Sequence, residues 1–81
     1  MKGTIVEVRE RDIVAQVDSE EGLSRESFLE VYRKEDGKEV IVGSGPVKMI
    51  NRMKCVRIAF SEGSPLASSV VGDLVRFASG S

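Results

Sequence analysis

The chain has a single thiol, Cys55, and no histidine to take a proton from it. A cysteine nucleophile acts as the thiolate, and the neighbouring cations Lys54 and Arg57 favour that form without accepting a proton. On a strand, Cys55 reads instead as a small buried hydrophobe. Ser64, Ser68 and Ser69 have neither an imidazole partner nor a Ser-x-x-Lys spacing, so they read as turn residues. Tyr32 reads as a half-buried strand aromatic with a wet hydroxyl rather than a general acid. General acid–base work near neutral pH lacks its usual carrier here. The expectation is a protein that is not an enzyme, with no catalytic residue and no cofactor.

Two further segments invite chemistry and fall short of it. Asp18, Glu20 and Glu21 gather three carboxylates, but a calcium loop opened by Asp18 needs Gly at its sixth position and a ligand at its twelfth. Those positions hold Leu23 and Leu29. With no Cys/His cluster for zinc either, no metal site is expected. Gly43-Ser44-Gly45-Pro46 shares its glycines with phosphate loops, yet Pro46-Val47-Lys48 follows where a Lys-Ser/Thr and a helix are required. A bend in the chain is the simpler reading.

Charge is unevenly placed although the formal net charge is only −1. Asp18 to Glu39 holds eight acids and four bases, whereas Val40 to Ser61 holds no acid and four bases, Lys48, Arg52, Lys54 and Arg57. Two halves attracting each other across a sheet would explain the split. So would a basic face for phosphate or an acidic partner. Together with Phe28 and Tyr32, read as an exposed aromatic pair, the four cations form the candidate binding face of a nucleic-acid binder of the small-barrel type. Those aromatics lie in the acidic half, beside Glu26 and Glu30, and the isoelectric point near 5.4 suits a polyanion poorly. Nucleic acid is therefore the alternative partner, and protein the favoured one.

These residues must be positioned by strands. Valine occurs twelve times and isoleucine five in 81 residues, and β-branched side chains favour pleated surfaces. No segment carries a 3.6-residue apolar stripe of helical length. Thr4–Val8 and Ile13–Val17 flank a short charged turn and read as a hairpin. Gly22 is the expected positive-φ position of the loop that follows. Phe28–Arg33 and Glu39–Val42 flank Asp36-Gly37, which supplies the φ angles of a type I′ turn or a bulged loop. Gly43–Pro46 is expected to break or bend the sheet. Val47–Phe60 reads as one long strand with a phase-changing bulge or bend near Asn51-Arg52. Leu66–Val71 is a helical turn or an irregular crossing, Gly72-Asp73 a turn, and Leu74–Ala78 the last strand.

The order of these words resembles a known barrel. Gly3-Thr4-Ile5-Val6, Val17-Asp18 to Gly22-Leu23, Phe28-Leu29-Glu30-Val31-Tyr32-Arg33 and Gly72-Asp73-Leu74-Val75 are similar to the C-terminal domain of the flagellar assembly protein T family. They are similar also to related bacterial envelope barrels. One departure is that Glu26-Ser27 stands where that pattern has Gly-Asp before the Val-Tyr-Arg strand, which implies a remodelled loop. The resemblance implies a structural or assembly module that docks to neighbouring protein. It supplies no catalytic residue.

The expected fold is all-β, a small closed or partly open barrel of five to seven mostly antiparallel strands. Residues 1–81 form one domain, whole or excised from a larger protein, with 79–81 frayed. The expected inward set is Val6, Val8, Ile13 or Val14, Val17, Leu29, Val31, Val40, Val42, Val56, Ile58, Val75 and Phe77. No apolar run approaches a membrane span, and no basic-then-apolar leader precedes the first strand. The location is then cytoplasmic, or periplasmic if the chain is cut from an envelope protein.

Overall fold

A computed structural model describes residues 1–78; the tail expected to fray, 79–81, lies outside them. Six strands, β1 (Gly3–Val8), β2 (Asp12–Val17), β3 (Phe28–Glu35), β4 (Lys38–Asn51), β5 (Cys55–Ala59) and β6 (Leu74–Phe77), carry the chain. They close a barrel in the order β1-β2-β5-β4-β3-β6, with every pair antiparallel. Closure leaves no long open sheet edge around the barrel wall. Ile5, Ile13, Ala15, Val17, Leu29, Val31, Val47, Val56, Ile58 and Val75 point inward, and Leu66 joins them from outside the strands.

The turns follow their residue chemistry. Asp36 and Gly37 take φ of 52° and 78°, so β3 and β4 join through a two-residue turn of the primed kind. Gly22 takes positive φ as anticipated, and so does Gly72 in the turn expected at Gly72-Asp73. Pro65–Ser68 is the short helical turn, a 3₁₀ turn whose Ser64 hydroxyl accepts the Leu66 amide at 3.2 Å.

The first strand packs in the opposite phase to the expected one. Val6 and Val8 are exposed, and Ile5 alone of the three is buried. Thr4-Ile5-Val6-Glu7-Val8 has apolar residues in both phases, so alternation cannot choose between them. Gly3 decides. A Cβ there would lie 2.7 Å from the Gln16 carbonyl oxygen and from Val75, so position 3 faces the crowded interior, and Ile5 two residues on shares that face. A bulge between Ile5 and Glu7 then shifts the register against β2.

Val40 is likewise exposed, while Val42 and Phe77 are only partly buried. Val40 lies on the part of the β3–β4 hairpin that projects towards the Asp36-Gly37 turn, where the flanking residues Lys38, Glu39 and Ile41 are also exposed. Ile13 is fully buried, and Val14, the other choice offered, is 9% exposed.

Two boundaries also differ. Gly43–Pro46 does not break the sheet. It lies inside the 14-residue β4, which pairs with β3 as far as Pro46 and with β5 from Val47 onward. One strand thus serves two neighbours, and the change of partner falls at Pro46 rather than near Asn51. The glycines are there because Leu66 packs over them: a Cβ on Gly45 would stand 2.8 Å from Leu66 Cδ1. Val47–Phe60 is not one strand. It reverses through the 3₁₀ turn Arg52–Lys54 and returns as β5. No glycine or proline marks that reversal, which is why it was not legible.

Met53 and Lys54 hold φ of 61° and 60° there, a region that side chains with a Cβ rarely occupy. Replacing Met53-Lys54 by Asn-Gly is expected to raise stability by about 1 kcal/mol, since glycine and asparagine adopt these angles readily. A urea titration comparing midpoints at constant slope checks this.

Candidate functional site

The four cations all sit on the β4–β5 hairpin but do not stand free as a group. Lys48 Nζ lies 3.7 Å from Asp12 Oδ2, a carboxylate that also faces Arg9 Nε at 3.7 Å. Lys54 Nζ donates to the Asp18 carbonyl oxygen at 3.2 Å. Arg57 is half-buried on β5, between Met49 of β4 and Val14 of β2 in the ladder. Arg52 is exposed at the turn. Cys55, expected to be buried, is half-buried, its thiol turned to the Met53 carbonyl at 3.8 Å.

The aromatic pair is divided. Phe28 is 56% exposed, as expected, whereas Tyr32 is buried at 7%. Arg76 of β6 explains the difference. Its guanidinium lies 4.1 Å from the Tyr32 ring centroid, and it donates to Glu30 at 2.9 Å and to Glu39 at 3.0 Å. The hydrogen bonds that Arg76 donates to Glu30, then to Glu39, raise its pKa above the ordinary value. Tyr32 is thus covered by a cation already paired with acids of this chain, and its ring is withdrawn from stacking on a base.

Asp18 anchors the start of the barrel. Its Oδ1 accepts the Lys2 amide at 2.8 Å, and that bond is the largest of the effects holding its pKa below 3.8. A folded pKa below the unfolded one gives stability that is complete above the unfolded value and is lost as pH falls through the folded one. Asp18→Asn is therefore expected to flatten the acid limb of melting temperature against pH below about pH 4, as measured by circular dichroism.

An apolar concavity lies elsewhere, at the end of the barrel where β3 begins. Phe28, Pro46, Gly45, Ala59, Phe60 and Ser61 line an open hollow of about 440 Å³. Each wall has a structural origin. Phe28 faces Pro46 across the β3–β4 ladder. The Ala78 amide donates to the Phe28 carbonyl at 3.0 Å, and the Val47 amide to that of Ser27 at 3.0 Å, so the backbone carrying Phe28 is held from both sides. The Phe60 amide donates to the Arg11 carbonyl at 3.0 Å, tying the opposite wall to the β1–β2 turn.

Each ring also lines a smaller hollow. That of Phe60 is about 280 Å³ and is lined also by Glu10, Arg11 and Glu62. That of Phe28 is about 310 Å³ and is lined also by Glu26 and Phe77. The central hollow thus shares Phe60 with one neighbour and Phe28 with the other, and these two share no lining residue. Of the residues singled out in the sequence only Phe28 belongs to it; Lys48, Arg52, Lys54, Arg57 and Tyr32 line none of the three. In the sequence Phe60 is only the end of the expected strand Val47–Phe60, and Pro46 the end of the expected break or bend Gly43–Pro46. Both acquire their place only when the barrel end is assembled.

Among the described residues no group of three His, Cys, Asp or Glu side chains is placed to hold a metal ion. No helix is long and apolar enough to cross a membrane. Comparison with protein families, curated proteins and solved structures finds no match for this chain.

Proposed function

We propose that this barrel is a non-enzymatic protein-interaction module, and that the groove beside Phe28 receives an extended segment of a partner protein. The observation that carries the reading is Phe28 itself. A phenylalanine left 56% exposed on a backbone pinned from both sides, beside its cross-strand neighbour Pro46 and lining an open hollow, is a preorganised apolar anchor. Aromatic anchors of this kind dominate binding energy at protein interfaces. The resemblance of the Gly3–Val6, Phe28–Arg33 and Gly72–Val75 words to assembly barrels supports the same reading, in a bacterial envelope or flagellar setting.

The test is selection of a displayed random-peptide library on the folded domain, with Phe28→Ala as counter-target. Peptides are expected to bind the native domain at least about tenfold more tightly than the variant, about 1.4 kcal/mol. The melting temperature of the variant should stay close to native, because surface side chains contribute within about 0.5 kcal/mol. Failure to enrich any Phe28-dependent peptide refutes the proposal. So does saturable binding of single-stranded DNA at low salt that is lost when Lys48, Arg52, Lys54 and Arg57 are changed to glutamine.

A further inference from the structure

Resting on that reading, we infer that the partner segment has an apolar centre flanked on both sides by lysine or arginine. The lining of the three hollows carries the inference. The central one is bounded by Phe28 and Phe60 and is lined by Pro46, Ala59, glycine and serine, with no charged side chain. It suits an uncharged, apolar residue. Each outer hollow is acidic: among the described residues, Glu26 is the only charged side chain lining the one that Phe28 shares, and Glu10 and Glu62 outnumber Arg11 in the one that Phe60 shares.

Among the described residues these three glutamates are unpaired, as Glu20, Glu21 and Glu35 also are, but of those six they alone line the hollows. Glu30 and Glu39 are engaged by Arg76, and Asp73 by Arg33 at 2.8 Å. Among the described residues Glu10, Glu26 and Glu62 have no cation within 4.0 Å, so their charge is directed to solvent around the groove. A bound segment with acidic flanks would meet them as like charges. One with basic flanks gains a pair on either side of its anchor. The barrel is 25 Å across its shortest dimension, which an extended chain covers in about seven residues.

Ion pairs at an exposed rim are modest, so each side is expected to change affinity by about two- to fivefold and to weaken with salt. The experiment uses a peptide library with a randomised apolar centre and flanks encoded equally as lysine, serine or glutamate. It is selected on the native domain against Phe28→Ala. Among Phe28-dependent binders, lysine should exceed serine and serine exceed glutamate on both sides. Glu26→Gln should erase the preference on one side only, and the double variant Glu10→Gln, Glu62→Gln that on the other. Phe28-dependent binders with no excess of lysine over serine would overturn the inference and leave the groove intact as a docking site. An absence of Phe28-dependent binders would overturn both.

Discussion

Leu66→Ala is expected to destabilise the barrel by about 2–5 kcal/mol, out of a total that for a chain of 81 residues is about 4–12 kcal/mol. Leu66 is fully buried, yet it belongs to no strand. It enters the core from the 3₁₀ turn Pro65–Ser68 and packs against β4 at Gly43 and Gly45, where the absence of a Cβ makes room for it. Truncation removes the transfer energy of the lost atoms and leaves a cavity. The strands around it are joined in a closed ring and cannot collapse freely to fill it. Leu66→Met, which conserves volume, should cost less than about 1.5 kcal/mol. Val71→Ala, at a position 65% exposed, should move stability by less than about 0.5 kcal/mol. Urea denaturation followed by circular dichroism distinguishes the three; equal midpoints for Leu66→Ala and Val71→Ala would show that Leu66 does not plug the core.

Gly3→Ala should be nearly as damaging for the opposite reason. An added methyl would stand 2.7 Å from the Gln16 carbonyl oxygen, 2.7 Å from Val75 Cγ2 and 2.8 Å from Val17 Cγ1. Gln16 is held in register with Thr4 by the β1–β2 ladder, so its oxygen cannot retreat without parting the strands. The strain falls on the weakest seam of the barrel, because β1 and β6 share only the pairs Gly3–Val75 and Thr4–Leu74. Overpacking of this kind costs about 1–3 kcal/mol. Hydrogen exchange should locate the damage: the Ile5 amide, which donates to the Asp73 carbonyl at 2.7 Å across this seam, should exchange faster relative to amides of the β4–β5 ladder. Unchanged exchange at Ile5 would count against the close approach at Gly3.

Both variants act where sequence reading had least to say, and the reason is the same in each case. Local pattern reports what a residue does to its own strand. Alternation placed Leu29 and Val31 inward, and turn chemistry placed a type I′ turn or bulged loop at Asp36-Gly37 and a turn at Gly72-Asp73, because backbone angles and side-chain period are properties of the segment itself. It could not choose the phase of β1, where apolar residues fill both faces. Nor could it find the reversal at Arg52–Lys54, where residues with a Cβ accept glycine-like angles.

The binding surface divides along the same line. The β-rich composition, the missing histidine, the single thiol and the cations gathered between Val40 and Ser61 are properties of the chain alone, and the first of them already points to the all-β fold that the structure has. Which of its charges are free was decided by tertiary structure. Closing the barrel laid Arg76 over Tyr32 and paired it with Glu30 and Glu39, brought Lys48 towards Asp12, and left Glu10, Glu26 and Glu62 without cationic partners. It also set Phe28 and Phe60, 32 positions apart by number, on either side of one hollow. Neighbours across a closed sheet are chosen by register and closure, which depend on every strand at once, and no short stretch of sequence carries that information.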